Sequence, residues 1–305
     1  MTHSWIWLSI FAAGMQTVRT AAQKRLTDHV STLAVTYVRA LFGLPVMLVY
    51  LGLVLEVRSA PVVVEPVYLA WCFVAALTQN IGTAALLTLY RVRNFAVANQ
   101  LARSNVVFTA VLGALFFTEI ISAAGWAAIG LTMAGVALLS LPGAKAAEQS
   151  AIERVARGTD IRAVLTGLLI GLMFGLCNLS IRSASLTLLP ADATTRGAVT
   201  VAVVTAMQVV MLGLWLAVRE PGFMRSILRH PLFAAFIGLT SAAGSIAWFT
   251  AFSLANASYV IAVGQIEVAF GVLVSVLYFR EHVSRAEVIG IGVMLAGVLL
   301  LHVAG

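Results

Sequence analysis

The chain has 305 residues, of which 61% are hydrophobic and only 10% are charged, and its mean hydropathy is +1.00. Soluble domains carry about 25% charged residues, and a chain of this size cannot hide so much apolar surface in a core, so the composition excludes a soluble globular protein. The net charge of +7 does not indicate nucleic-acid binding, because the basic residues lie in short loops between apolar runs, as in membrane proteins.

A helix that spans a bilayer needs about 20 mostly apolar residues, and by this measure we predict about ten spanning segments. Those before the longest polar stretch are Ser4–Ala22, Ser31–Leu55, Pro66–Tyr90, Asn94–Phe117 and Ile121–Leu141. Those after it are Ala163–Leu186, Ala193–Val218, Pro231–Ala255, Ala257–Phe279 and Val283–Val303. The polar stretch, Pro142–Asp160, is interpreted as a linker between two halves.

The second half of the chain repeats the first. Asn94–Ser140 aligns with Asn256–His302 without a gap, and about fifteen positions are identical. Each half contains an odd number of spans, so the two copies must cross the membrane in opposite directions. We therefore predict an all-α integral membrane protein of two inverted five-helix repeats around a central cavity, at residues 1–141 and 161–305, joined by a linker at 142–160.

Lysine and arginine are concentrated in the odd-numbered loops. The residues concerned are Lys24, Arg25, Arg91, Arg93, Lys145, Arg154, Arg157, Arg219, Arg225, Arg229, Arg280 and Arg285. The even-numbered loops hold little beyond Arg58. Because cytoplasmic loops carry the excess of basic residues, this bias predicts that the odd-numbered loops face the cytoplasm and both chain ends lie outside. A bacterial cell inner membrane is the expected location.

Two short motifs recur in the same order in both halves. Phe117-Thr118-Glu119 precedes the helix with Gly130 and Gly135, and Phe279-Arg280-Glu281 precedes the helix with Gly292 and Gly297. An arginine lies early in the second helix of each half, at Arg39 and Arg196. In these features the chain resembles the EamA-type branch of the drug/metabolite transporter superfamily.

This resemblance implies a ten-helix carrier with one central cavity, lined by helices one to four and six to nine, while the fifth and tenth pack on each other. Such carriers export or exchange amino acids, metabolites and drugs, often with the proton gradient. Members usually keep both termini in the cytoplasm, which is the opposite of what the basic residues predict here. The paired glycines also favour close packing of the fifth helix on the tenth, with a dimer interface as the alternative.

Polar residues inside spanning helices are costly and therefore usually face a cavity or a partner. The candidate substrate-binding residues are Gln16, Gln79, Asn80, Asn99, Arg103, Asn105, Asn178, Trp248 and Gln265. The alternative role is hydrogen bonding between helices for the amides, and packing in the core for Trp248. Arg19 is expected to extend toward lipid head groups instead, because Lys24 and Arg25 follow it.

Glu267 is the only carboxylate well inside an apolar run. We interpret it as the proton-coupling group, and the alternative is an ion pair with Arg103 that fixes helix packing. The repeat places Arg103 and Asn105 at the positions that Gln265 and Glu267 occupy in the other half, so the two sets are expected to face each other. Arg103 is a candidate to bind a substrate carboxylate through two parallel hydrogen bonds.

No sequence feature indicates an enzyme. The chain has no phosphate-binding glycine loop, no His-Glu-x-x-His helix, no nucleophile elbow and no cysteine and histidine ligand set. We predict a secondary active transporter that exports or exchanges small organic solutes such as amino acids or related metabolites. A lipid or sugar-nucleotide carrier is the alternative, and a membrane enzyme acting on head groups is a more distant one. No cofactor is expected. The expected partners are the small-molecule substrate and membrane lipids, and the expected state is a monomer, with a dimer as the alternative.

Overall fold

The computed structural model describes residues 3–57, 62–92, 102–139, 161–279 and 285–304. The predicted linker at 142–160, and Arg280 and Glu281 of the second motif, lie outside these ranges. Within them every regular element is a helix. The first half holds α1 (Ser4–Leu26), α2 (Thr32–Val57), α3 (Pro66–Val92), α4 (Asn105–Phe116) and α5 (Ala123–Leu139). The second half holds α6 (Ile161–Thr187), α7 (Ala193–Arg219), the short α8 (Phe223–Leu228), α9 (Pro231–Leu254), α10 (Ala257–Gly264), α11 (Glu267–Phe279) and α12 (Arg285–Ala304).

Five of these helices, α2, α3, α6, α7 and α9, are long and apolar enough to cross a bilayer. Their outer faces expose large apolar side chains such as Val49, Leu214 and Leu239, which only lipid can cover at little cost. Shorter apolar helices, α4, α5, α10 and part of α12, pack among them. The protein is therefore a multi-pass membrane protein.

The two halves interleave. Helix α1 packs on α9, α2 packs on α7 and α9, and α3 and α4 both pack on α6. The main cluster of buried apolar side chains accordingly draws on both halves, for example Tyr68, Ile181 and Phe252. This arrangement places polar residues from α1 to α4 directly opposite those of α6 to α11.

Helices α5 and α12 pack backbone to backbone. A Cβ atom at Gly135 would lie 2.4 Å from the backbone nitrogen of Met294, and one at Gly297 would lie 2.4 Å from Oγ1 of Thr132. Glycine is therefore required at both positions for this close approach. The other two repeated glycines were also expected at the contact, and this expectation is wrong, because a Cβ atom at Gly130 or Gly292 would meet nothing within 4 Å.

Two ends of the bundle can be defined by ring contacts. At the His3 end, the rings of His3 and His302 are 3.7 Å apart, and Trp5 stacks on Tyr259. At the His29 end, the rings of His29 and His230 are 4.9 Å apart. Each contact joins the first half of the chain to the second, so both ends are formed by the two halves together.

Candidate functional site: a polar cavity at two helix breaks

The predicted ninth span is not one helix. Helix α10 ends at Gly264, Gln265 and Ile266 form a turn, and α11 starts at Glu267. Hydropathy did not reveal this break because the run from Ala257 to Phe279 is predominantly apolar on both sides of it. Trp248 packs over the break, where a Cβ atom on Gly264 would lie 2.3 Å from its indole ring.

The matching place in the first half has the same backbone feature. Arg103 and Ser104 form a turn, and α4 starts at Asn105. In the gapless alignment Arg103 corresponds to Gln265 and Asn105 to Glu267. Each half therefore presents the first residue of a short helix at the same position of the repeat. Discontinuous helices of this kind form the solute sites of many secondary transporters.

A cavity of about 150 Å³ lies between these two breaks. It extends from Phe252 and Ile261, toward the His3 end, to Arg19 and Gln23 near the end of α1. At roughly 10–15 Å³ for each water centre, it has room for on the order of ten waters or a small solute. The predicted residues that line it are Gln16, Gln79, Arg103, Asn105, Asn178, Trp248, Gln265 and Glu267. Their role in binding stays a prediction.

Two predicted residues stand apart from this set. Asn80 is buried and donates from Nδ2 to the backbone carbonyl of Gln208, 3.4 Å away, so it fills the alternative role of a bond between helices. Asn99 lies outside the described residues.

Side chains from the two halves meet at the breaks, as the repeat predicts. Arg103 donates from Nη1 to Oε1 of Gln265 at 3.0 Å, and Gln265 donates in turn from Nε2 to the carbonyl of Ile261 at 3.3 Å. Gln16 donates from Nε2 to Oε2 of Glu267 at 3.0 Å. Both contacts link the first half of the chain to the second across the cavity.

Glu267 is held by one hydrogen bond and by nearby positive charge. The bond comes from Gln16, and the charges of Arg103 and Arg19 act on the carboxylate. Its place at the start of α11 adds the positive end of that helix dipole. The carboxylate lines the cavity, so a solute or a water there can reach it.

A third group of polar residues surrounds Arg39, which the sequence marked only as a family feature. Arg39 donates from Nη2 to Oε1 of Gln208 at 3.3 Å, and Gln208 donates from Nε2 to Oε1 of Gln79 at 2.5 Å. Arg39 and Gln79 line the cavity. Both Arg39 and Gln208 interrupt apolar runs, so the rule that indicates Gln79 as a site candidate indicates them as well.

Arg19 also lines the cavity, which corrects the expectation that it extends to head groups. Arg19 lies about two turns before the end of α1, and from the sequence its side chain could extend either to the cavity or to the head groups. The cavity-facing direction is chosen by packing of α1 on α9 and α10. On the described residues the lining thus carries three guanidinium groups, Arg19, Arg39 and Arg103, and one carboxylate, Glu267.

Four aromatic side chains form part of the remaining wall. Phe174, Trp248, Phe249 and Phe252 line the cavity, and the rings of Trp248 and Phe252 stack with centroids 5.9 Å apart. Near them Asn178 donates from Nδ2 to Oγ1 of Thr109 at 3.4 Å. The cavity therefore offers an apolar face and a charged face to one solute.

A separate polar cluster closes the bundle at the His3 end. Glu119 accepts hydrogen bonds from the backbone nitrogen of Ala257 at 2.6 Å, from that of Ser258 at 3.3 Å and from Ser258 Oγ at 2.6 Å. Oε1 of Glu119 also lies 3.3 Å from Nε of Arg182. Glu119 thus caps α10, whose own N-cap residue, Asn256, forms no side-chain cap bond.

Arg182 extends the same cluster to α9. It donates to the carbonyl oxygens of Phe252, at 2.9 Å, and Ala255, and to Oδ1 of Asn256 at 3.1 Å. Because Phe252 lines the cavity, this cluster lies next to the cavity on the side of the His3 end. The motif Phe117-Thr118-Glu119 therefore has a structural explanation: Thr118, at a φ of 54°, turns the chain so that Glu119 reaches α10.

No metal centre is found among the residues that the structure describes, since no group of three histidine, cysteine, aspartate or glutamate side chains is close enough to hold an ion.

Comparison with known proteins agrees with this architecture. Residues 3–141 and 161–303 each match the EamA-like transporter family. A solved structure titled "Crystal structure of protein" superposes with a TM-score of 0.69 at 14% sequence identity, covering 100% of this chain and 98% of that chain. At this identity the likeness concerns the fold alone. None of the curated proteins matches the sequence.

Proposed function

This chain belongs to the EamA-like transporter family, and from that premise we propose that it is a secondary active transporter that exports or exchanges small organic solutes such as amino acids or related metabolites. The observation that carries the proposal is the cavity between the two helix breaks, to which both halves contribute polar side chains. Solute binds there, and the bundle opens alternately to one side of the membrane and to the other.

The directions of the helices support an inverted arrangement of the repeats. Helix α1 begins at the His3 end, where His3 contacts His302. Helix α6, the first of the second half, ends there, since Ser185 donates to Ser253 beside the end of α9. The first helices of the two halves therefore run in opposite directions, which is the geometry that alternating access uses.

The cluster of Glu119 and Arg182 supports a conformation that is closed at the His3 end. It ties the end of α9 and the start of α10 to α6 and to the loop after α4. Opening the cavity on that side requires these bonds to break. Exposed basic residues lie at the opposite end, namely Lys24, Arg25, Arg219, Arg225 and Arg229. We place that end in the cytoplasm of a bacterial inner membrane.

Glu267 is the proposed proton-coupling group. A carboxylate near arginines, in a cavity that water can enter, can bind and release a proton during the transport cycle. Among the described residues it accepts one hydrogen bond, from Gln16, which leaves most of its acceptor capacity for this exchange.

Counterflow in proteoliposomes tests the transport function. Vesicles that contain the purified protein are loaded with unlabelled amino acids, and entry of the labelled compounds is followed at equal pH on both sides. We expect labelled solute to accumulate transiently, as exchange requires. An absence of exchange across a broad panel of amino acids and metabolites contradicts the proposal.

A matched pair of variants ties the exchange to the cavity. Gln79→Trp fills the cavity from α3 and is expected to abolish counterflow. Ile81→Trp adds the same ring to the same helix at a lipid-facing position that is 41% exposed, and is expected to retain it. Equal activity of the two variants places the pathway elsewhere.

A further inference from the structure

Arg39 is a buried cation without a counter-charge. Its side chain is only 4% exposed, and within the described part of the chain its one hydrogen bond goes to the neutral amide of Gln208. Its Nε atom is buried and has no hydrogen-bond partner there. Arg39 lines the cavity, so its side chain forms part of the wall that a solute there would contact.

Burial of the Arg39 guanidinium without a counter-charge costs free energy unless a ligand supplies the missing charge and hydrogen-bond acceptors. A guanidinium removed from water loses its hydration, and a neutral amide at 3.3 Å replaces only part of it. The charge of Arg19 acts on Arg39 as well and makes the local excess of positive charge larger. An anion with oxygen acceptors supplies what Arg39 lacks among the described residues.

The amides behind Arg39 hold it in place for such a ligand. Gln208 accepts from Arg39 and donates to Gln79, and its backbone carbonyl accepts from Asn80. This chain of bonds runs from α2 through α7 to α3 and anchors one nitrogen of the guanidinium. A fixed donor loses little freedom when it binds a carboxylate.

The net charge of the described lining residues also favours an anionic solute. Three arginines against one glutamate give a net charge of +2 on the described lining residues, by 3 minus 1. Protonation of Glu267 would make the excess larger. A solute whose own charges cancel leaves this excess uncompensated, whereas an anion reduces it.

We propose that Arg39 forms an anion subsite of the cavity, and that the preferred solute bears a carboxylate without a compensating ammonium group and has an apolar or aromatic body. The carboxylate binds at Arg39 and Arg19, and the body packs on Trp248, Phe249 and Phe252. This inference rests on the proposed transport function, of which it specifies the substrate class.

Three compounds with the same phenyl body test the charge preference. They are 3-phenylpropionate, which is an anion, phenylalanine, which is a zwitterion, and 2-phenylethylamine, which is a cation. Their dissociation constants are measured on the full chain in detergent by the shift of its melting temperature. We expect 3-phenylpropionate to bind about tenfold or more tightly than phenylalanine and 2-phenylethylamine to bind most weakly. Equal dissociation constants for the anion and the zwitterion overturn the proposal.

The subsite itself is tested with Arg39→Gln. This variant is expected to raise the dissociation constant of 3-phenylpropionate about tenfold to a hundredfold and to change that of phenylalanine less. Arg39→Lys keeps the charge without the planar fork and is expected to retain part of the preference. Arg196→Gln is the matched control, because Arg196 is the arginine of the second repeat and donates to the carbonyl of Ser253 outside the cavity lining. A full anion preference in Arg39→Gln, or its equal loss in Arg196→Gln, overturns the subsite.

Counterflow separates this inference from the transport function. Anion-selective binding without exchange of any compound supports the subsite and contradicts transport. Exchange without anion preference supports transport and contradicts the subsite. The absence of both binding and exchange contradicts the two together.

Discussion

Two carboxylates, the buried Glu119 and the partly buried Glu267, lie in opposite halves of the protein and differ in how many hydrogen bonds their oxygens accept. Glu119 accepts three hydrogen bonds from Ala257 and Ser258 and pairs with Arg182. Among the described residues, Glu267 accepts one hydrogen bond, from Gln16, and it lines the cavity. The difference suggests separate roles for the two carboxylates: the extensively bonded Glu119 stabilises the fold, and the proposed role of Glu267 is proton exchange.

The largest effect should come from removing the extensively bonded Glu119. Glu119→Ala leaves Arg182 without its ion pair, although the arginine keeps its bonds to backbone carbonyls, and it removes the cap from α10. Loss of one partner of a buried pair costs about 3–5 kcal/mol. We expect a marked fall in the melting temperature of the purified protein in detergent.

The double variant Glu119→Gln with Arg182→Met sharpens this result. It removes both charges, so no uncompensated charge remains, and it should recover part of the stability lost in Glu119→Ala. If Glu119→Ala melts at the wild-type temperature, the assignment of Glu119 to the fold is wrong.

The next largest effect concerns coupling. Glu267→Gln keeps the shape and the contact with Gln16 but cannot exchange a proton. We expect uptake driven by an imposed pH gradient to fall to the rate measured without a gradient, while counterflow at equal pH persists and the melting temperature changes little. Unchanged gradient-driven uptake excludes Glu267 as the coupling group.

A smaller effect is expected from the single hydrogen-bond donor of Glu267. Gln16→Met has nearly the same volume but cannot donate, and a hydrogen bond to a charged group contributes about 1.5–3 kcal/mol. Because water in the cavity can replace the amide, we expect a change of about tenfold or less in the pH-dependent rate. Gln23→Met, on the same helix and also at the cavity, is the control that leaves Glu267 bonded. Equal changes in both variants contradict a specific role for Gln16.

Hydropathy and the repeat predict the helical membrane fold and most of the element positions, because bilayer thickness and the cost of unpaired backbone groups act on every apolar run alike. They do not predict the break at Gln265 and Ile266, since an apolar composition is compatible with a continuous helix and with an interrupted one. The short helix α8 is also missed, because its six residues lie in a loop that has no spanning pattern.

The rule for polar residues in membranes selects several residues that line the cavity, and their role in binding stays a prediction. Gln79 and Asn178 line the cavity as expected, but neighbouring Asn80 turns to the backbone of α7. The sequence alone does not show which of two adjacent amides faces the cavity. That depends on how the helix is rotated about its own axis, which is set by tertiary packing. The capping of α10 by Glu119 could not be predicted from the sequence either, since it joins residues that are 138 positions apart.

The contact between α5 and α12 constrains how the protein can move. Since Gly135 and Gly297 bring the two backbones together, neither helix can slide or rotate past the other without a steric clash. We therefore expect α5 and α12 to move as one rigid unit, and we expect the movement that opens the cavity to occur in the helices around them. Probes at Gly130 and Gly292, which face open space, should keep a constant separation throughout the transport cycle and so provide a reference frame for distances measured across the cavity.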